Sequence, residues 1–135
     1  MVSSLEAAIW EAGLTNKRYC TWLIDSDRWQ AYQKRPSDVV VATYPKSGTT
    51  WMQRILSLLI LRTDEPVGLD RLFPWWESTR RPLEQVAADF EAQRQRRSVK
   101  THVPFDAIPA SDSIKIIHVA RDGRDVCMPS HNNCA

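Results

Sequence analysis

The chain has 135 residues, 43% of them hydrophobic and 25% charged, which suits one modest globular domain. Its formal net charge of +2 does not favour nucleic acid, which usually requires a strongly basic surface. The first residues lack the features of a signal peptide, and the longest apolar stretch, near Ile55–Leu61, is too short to span a membrane. Three cysteines form no even disulfide framework, so we expect a cytoplasmic protein with no membrane partner.

The first predicted elements are two short helices that pack on the body of the domain. Ser3 and Glu6 have the spacing of a capping box, and apolar residues recur behind them at helical intervals. A second short helix is predicted after the N-cap residue Asp25, and it carries Trp29 and Tyr32. Neither segment contains a pattern that indicates catalysis.

Residues 43–51 join a predicted apolar strand to a predicted apolar-rich helix. The first turn of a helix has unpaired N–H groups and a positive dipole, so it is suited to bind phosphate. Gly48 lets the backbone approach a ligand closely, and Lys46 supplies a mobile positive charge. Thr49 and Thr50 add hydroxyl groups at the start of the helix. The stretch therefore predicts a phosphate-binding loop.

This loop is related to the Walker A pattern, G-x-x-x-x-G-K-[ST], but does not match it. Thr43 stands where the first glycine belongs, and Thr49 stands where the lysine belongs. The lysine of this loop, Lys46, lies two residues before Gly48. ATP is therefore disfavoured as the ligand, and a P-loop kinase is kept only as a lesser alternative.

The segment after the loop contains two adjacent tryptophans and a basic cluster. Trp75 and Trp76 are either core residues or the lining of a pocket for an aromatic acceptor, and both interpretations stay open. The next helix is predicted to begin at Pro82. It runs into the basic cluster 94–97, which we interpret as a solvated helix end.

Two further strands complete the predicted elements. Strand 98–101 is short, whereas strand 114–120 is predicted to be largely buried, with His118 in a structural role. A helix follows the second strand, and Pro129 is expected to interrupt it. Strands separated by helices predict an α/β fold with a parallel sheet, whose ligands bind at the carboxyl ends of the strands.

Three segments of the chain occur in the order found in cytosolic-type sulfotransferases, which the chain resembles over residues 25–134. Residues 43–51 resemble the 5′-phosphosulfate loop, residues 100–104 resemble the K-T-H-[LV]-P element of the catalytic histidine, and residues 114–130 resemble the 3′-phosphate segment. The resemblance implies a P-loop nucleotide-kinase-like three-layer sandwich with a parallel sheet. Residues 1–135 would form a partial sulfotransferase domain, truncated on its C-terminal side.

The resemblance also implies a reaction. The sulfuryl group would pass from 3′-phosphoadenosine 5′-phosphosulfate, with no metal, to a hydroxyl or amine of a small acceptor. His102 would be the base that takes the proton of the acceptor, a role suited to a histidine. Lys46, supported by Lys100, would stabilise charge on the leaving oxygen, and Ser47 would hold Lys46 back until the acceptor arrives.

The contacts to the co-substrate follow from the same resemblance. The loop would bind the 5′-phosphate, Trp51 would stack on the adenine, and Arg121 would pair with the 3′-phosphate. The family usually has a serine eight residues after this arginine, where this chain has Pro129. The predicted contact residues are Lys46, Ser47, Gly48, Thr49, Thr50, Trp51, Arg121 and, next to the proline, Ser130.

Two expectations concern what the chain lacks. The later R-K-G-x-x-G-D-W-type motif of the family is absent, so we expect impaired activity, with a non-catalytic nucleotide-binding fragment as the alternative. Strand 39–44 is expected to pair with strand 114–120 on one side and with nothing on the other. Such an exposed edge would permit self-association. The acceptor stays open, although Trp75, Trp76 and Phe105 suggest an aromatic molecule.

Overall fold

The structure is a computed structural model that describes residues 17–109 and 112–131. The predicted N-terminal helix at Ser3–Glu6 lies outside these residues. The described elements, in chain order, are a 3₁₀ helix Ser26–Ala31, β1 (Val39–Thr43), α1 (Thr49–Leu61), α2 (Leu69–Leu72), α3 (Leu83–Glu91), β2 (Ser98–Thr101), a 3₁₀ turn Phe105–Ala107, β3 (Lys115–Val119) and α4 (Gly123–His131).

The three strands form one parallel sheet in the order β2-β1-β3. Side chains alternate along β1, so Val39 and Val41 pack with Leu56 and Phe73 on one face. Val40 and Ala42 belong to a second core on the other face, and both cores are apolar. The second core also contains Trp29, Tyr32, Trp76, Val86, Phe90 and Val99. The α/β fold with helices on both faces is therefore confirmed.

The predicted free edge of β1 is wrong. β1 is the central strand, and its second side pairs with β2 in a parallel register that sets Val39 opposite Ser98. The crossover from β1 through α1 and α3 brings the chain back beside β1, so no unpaired edge is left there. Self-association through a β1 edge therefore has no structural basis.

The interpretation of residues 94–97 as a solvated helix end is wrong for Arg97. Helix α3 ends at Glu91, and the Arg97 side chain is only 4% exposed. Its guanidinium forms a two-pronged ion pair with the buried carboxylate of Asp38, with Nε–Oδ1 and Nη2–Oδ2 distances of 2.9 and 2.6 Å. Asp38 precedes β1 and Arg97 precedes β2, so this ion pair joins the amino ends of two strands.

Two expectations for the last part of the chain also require correction. β3 is exposed or half-buried along its length, and His118 is exposed, so the largely buried strand is wrong. Within the described residues, β3 has a partner strand on one side only. Helix α4 continues past Pro129 to His131, although the proline has no N–H to donate to the carbonyl of Asp125.

Helix length also bears on the membrane. The longest described helix, α1, has 13 residues. Within residues 17–109 and 112–131, no helix combines the length and the apolar character that crossing a bilayer requires.

Candidate functional site

The loop between β1 and α1 presents an uncapped helix N-terminus. Gly48 is the N-cap residue with φ 112° and ψ 21°, a left-handed conformation that favours glycine, and no side chain caps the helix there. Lys46 also has a positive φ of 65°. The first turn of α1 contains no acidic residue, so its N–H groups and dipole are available to an anion.

His102 follows the carboxyl end of β2 and contacts the carboxyl end of β1. Its Nδ1 atom lies 2.8 Å from the backbone oxygen of Thr43. A carbonyl oxygen only accepts hydrogen bonds, so Nδ1 carries the hydrogen and Nε2 is left as the proton acceptor. The arrangement therefore produces the tautomer that a general base requires, with Nε2 unprotonated.

Thr43 connects this histidine to the phosphate loop. Its hydroxyl lies 2.5 Å from the hydroxyl of Thr49, in the first turn of α1, and 3.3 Å from Nδ1 of His102. Thr43 itself is buried. The candidate base and the candidate anion site are thus joined through one buried threonine at the end of the central strand.

Glu77 is a site residue that the sequence analysis missed. Its side chain is fully buried, and its Oε1 atom accepts hydrogen bonds from the His102 amide at 2.7 Å and from Nε1 of Trp75 at 2.6 Å. The available signal was a carboxylate directly after Trp75 and Trp76, since a charged group rarely follows two large apolar residues unless it has buried partners.

The structure separates the two tryptophans that the sequence left undecided. Trp76 is buried in the core beneath the sheet. Trp75 is half-buried, and its ring lies edge-on to the His102 imidazole with centroids 5.0 Å apart. Lys100 places its Nζ atom 5.4 Å from the centroid of the Trp75 ring. Trp75 and Lys100 therefore lie beside the histidine.

Burial lowers the pKa of His102 below its ordinary value of 6.5, because a buried imidazolium loses solvation. The hydrogen bond to Thr43 acts in the opposite direction, and the positive charge of Lys100 lowers the pKa further. At neutral pH His102 is therefore an uncharged imidazole, the form that can accept a proton.

This pKa shift can be checked by NMR titration of His102 in the present chain, with the signal assigned by its loss in His102→Ala. The midpoint is expected below 6.5, and Lys100→Gln is expected to raise it because a neighbouring cation is removed. Lys115→Gln, an exposed lysine at the amino end of β3, should leave it unchanged. The unfolded chain binds a proton at His102 more readily, so this contribution to stability is lost as the pH falls through 6.5. A midpoint above 6.5 would contradict the assignment.

A groove of about 420 Å³ lies between the phosphate loop and the end of β3. Ser47 and Arg121 both line it, as the sequence predicted for two residues that bind the same ligand. Arg121 is exposed, and its Nε atom lies 3.6 Å from Oδ2 of Asp125. The remaining lining residues are Tyr44, His118, Val119, Ala120, Gly123, Val126 and Cys127.

Several predicted contact residues stay predictions. Lys46, Thr50 and Trp51 are exposed near the loop, and Trp51 is 78% exposed. Ser130 lies in α4, but its side chain is outside the part of the chain that the structure describes. In that described part, no group of three His, Cys, Asp or Glu side chains is arranged to hold a metal ion.

Fold and site together define a parallel α/β protein with an anion-binding loop and a histidine base at the carboxyl ends of adjacent strands. The family model described as "Sulfotransferase domain" matches residues 36–131. The chain therefore belongs to the sulfotransferase family.

Similar proteins extend this assignment. A glycolipid sulfotransferase of Mycobacterium tuberculosis is 40% identical over 111 residues, which cover 82% of this chain and 34% of that protein. Sulfotransferase 1E1 of Homo sapiens is 36% identical over 110 residues, which cover 76% of this chain and 37% of that protein. The chain thus spans about a third of the length of these curated relatives.

A solved structure supports the fold. The crystal structure of retinol dehydratase in a complex with retinol and PAP matches 98% of this chain and 53% of its own, with a TM-score of 0.63 and 20% identity. At this identity the match shows the fold and not the ligand.

Proposed function

We propose that this chain carries the donor-binding and proton-accepting part of a sulfotransferase. The sulfuryl group passes from 3′-phosphoadenosine 5′-phosphosulfate to a hydroxyl or amine of a small molecule. The observation that carries the proposal is the His102 Nδ1 bond to Thr43, because it leaves Nε2 unprotonated beside an uncapped helix N-terminus. Membership of the family supports it and leaves the P-loop kinase without support.

The residues present fit the donor. A 5′-phosphate at the start of α1 would accept hydrogen bonds from the first-turn N–H groups and from the hydroxyl of Thr50. Lys46 would add charge from the loop, and Arg121 would pair with the 3′-phosphate across the groove that Ser47 also lines. We assign Trp51, exposed at the start of the helix, to the adenine.

The proposed chemistry balances at three atoms. Nε2 of His102 takes the proton of the acceptor hydroxyl, and the acceptor oxygen forms a bond to sulfur. The bond between sulfur and the bridging phosphate oxygen breaks, and that oxygen leaves with negative charge. Lys46 and Lys100 stabilise this charge. No metal is part of this proposal.

The acceptor is proposed to be a small molecule with an apolar or aromatic body. Trp75 supports this, because its half-buried ring lies against His102 and would face an acceptor placed there. The relatives differ in the acceptors that their names print, a glycolipid in one and retinol in another, so acceptor identity cannot be transferred from them. A cytoplasmic location is also proposed, since Cys20 and Cys127 are free thiols.

Replacement of Lys46 by alanine tests the donor site. Removal of one charge-assisted contact to phosphate costs about 1.5–3 kcal/mol, so binding of adenosine 3′,5′-bisphosphate should weaken roughly 10- to 100-fold. Isothermal titration calorimetry measures this, with Lys115→Ala at the opposite end of the sheet as the matched control. Equal binding by Lys46→Ala and wild type would contradict the assignment.

Turnover is tested separately with labelled donor and a panel of phenols, alcohols and amines. Transfer that depends on His102 supports the sulfotransferase. Binding of adenosine 3′,5′-bisphosphate without transfer, even at high protein concentration, would instead support the non-catalytic nucleotide-binding alternative.

A further inference from the structure

Glu77 stands out because a fully buried carboxylate without a cationic partner is rare. Among the described residues, no lysine, arginine or histidine side chain forms an ion pair with it. Its hydrogen-bond donors are two N–H groups, and both belong to the surroundings of the candidate base. One is the backbone amide of His102 and the other is Nε1 of Trp75.

The two bonds act on His102 from different sides. The bond to the amide fixes the backbone from which the imidazole projects, and the bond to Trp75 fixes the ring that lies edge-on to that imidazole. The third constraint is the Nδ1 bond to Thr43. Backbone, ring neighbour and tautomer are therefore each held by a separate hydrogen bond, and Glu77 makes two of the three.

The segment that carries Glu77 is attached to the sheet without this side chain. Residues 74–76 lie alongside β2, where the Lys100 amide donates to Pro74 at 3.0 Å and the Trp76 amide donates to Lys100 at 3.4 Å. The Glu77 carbonyl accepts from the Asp25 amide at 2.9 Å. Because main-chain bonds already hold the segment, the buried carboxylate contributes mainly at His102 and Trp75.

We propose that Glu77 is the positioning residue of the catalytic base. It holds His102 in the one orientation in which Nδ1 donates to Thr43 and Nε2 is left for the proton of the acceptor. The proposal rests on the proposed function in one respect, the role of His102 as base. The geometric part, one orientation and one tautomer of His102, stands independently of turnover.

The use of a single oxygen makes the proposal testable by close substitutions. Both donors bond to Oε1, while Oε2 is buried without a hydrogen-bond partner. The amide oxygen of Glu77→Gln can therefore accept both bonds. Glu77→Asp withdraws the carboxylate by one methylene, which lengthens both bonds. Glutamine is thus expected to preserve the position of the base, and aspartate to lose it.

The experiment follows His102 by NMR in chain labelled with ¹⁵N-histidine, at neutral pH. Wild type and Glu77→Gln are expected to show one neutral tautomer with the hydrogen on Nδ1. Glu77→Asp is expected to show a mixture of tautomers, and its His102 pKa should move toward 6.5. Where turnover is measured, kcat should fall roughly 10- to 100-fold in Glu77→Asp, with the affinity for adenosine 3′,5′-bisphosphate unchanged. Glu84→Asp, an exposed glutamate in α3, is the matched control.

Two results would overturn the proposal. One is a folded Glu77→Asp that keeps the wild-type tautomer and titration of His102. The other needs no destabilising variant: a His102 amide in the wild type that exchanges its hydrogen as fast as an open loop amide, since its bond to a buried carboxylate should protect it. Failure of donor binding or turnover in the wild type would refute the proposed function while leaving both NMR results interpretable.

Discussion

Arg97→Met is expected to lower the free energy of unfolding by about 3–5 kcal/mol, because it leaves the buried carboxylate of Asp38 without its cation. Asp38 would keep two weaker donors, the Tyr32 hydroxyl at 3.0 Å and the Arg35 amide at 2.9 Å. Arg97 would also lose its bond to the Gln33 carbonyl at 2.9 Å. Urea unfolding followed by circular dichroism measures the change.

The neighbouring Arg96 supplies the matched control for this prediction. It is exposed, so Arg96→Met should change the free energy of unfolding by less than about 0.5 kcal/mol. Addition of Asp38→Asn to Arg97→Met removes the uncompensated charge and should recover part of the loss. A loss below about 1 kcal/mol for Arg97→Met alone would show that the ion pair does not hold the strand ends together.

His102→Ala is expected to reduce sulfuryl transfer about 10²- to 10⁴-fold, the usual contribution of a positioned general base. Binding of adenosine 3′,5′-bisphosphate should persist, because the uncapped start of α1 and the groove at Arg121 are unchanged. Single-turnover rates at high protein concentration, measured beside calorimetry, separate the two effects.

His118 is the matched histidine for this experiment. It is exposed on β3, opposite Ala42 of the central strand, and lines the groove near Arg121 without a bond that selects its tautomer. His118→Ala should therefore leave in place the pH dependence that His102 imposes on the rate. If His118→Ala removes that dependence while His102→Ala retains it, the base has been assigned to the wrong residue.

Local patterns predicted much of the fold. The apolar run before the loop became β1, and the capping residue Asp25 does begin a short 3₁₀ helix, where its side chain accepts a hydrogen bond from the Asp27 amide. The phosphate-binding loop was also predictable in outline, since strand, glycine and helix start are contiguous. The roles of its residues toward a donor stay predictions until binding is measured.

The errors share a different origin. The pairing of β2 with β1, the burial of Arg97 and the position of Glu77 each depend on residues far apart along the chain. Arg97 and Asp38 are separated by 59 positions, and Glu77 and His102 by 25. Hydrophobic periodicity reports on neighbours three or four residues away, so it contains no information on which buried charge meets which partner.

The sequence by itself determined the family, the parallel α/β class and the three segments that follow strand ends, because each of these is written in contiguous residues. The tertiary structure alone decided that β2 fills the second side of β1 and thereby brings His102 to Thr43. It also decided that Glu77 lies under that histidine. The physical reason is that the tautomer and orientation of a base depend on hydrogen bonds across strands, which only the folded chain assembles.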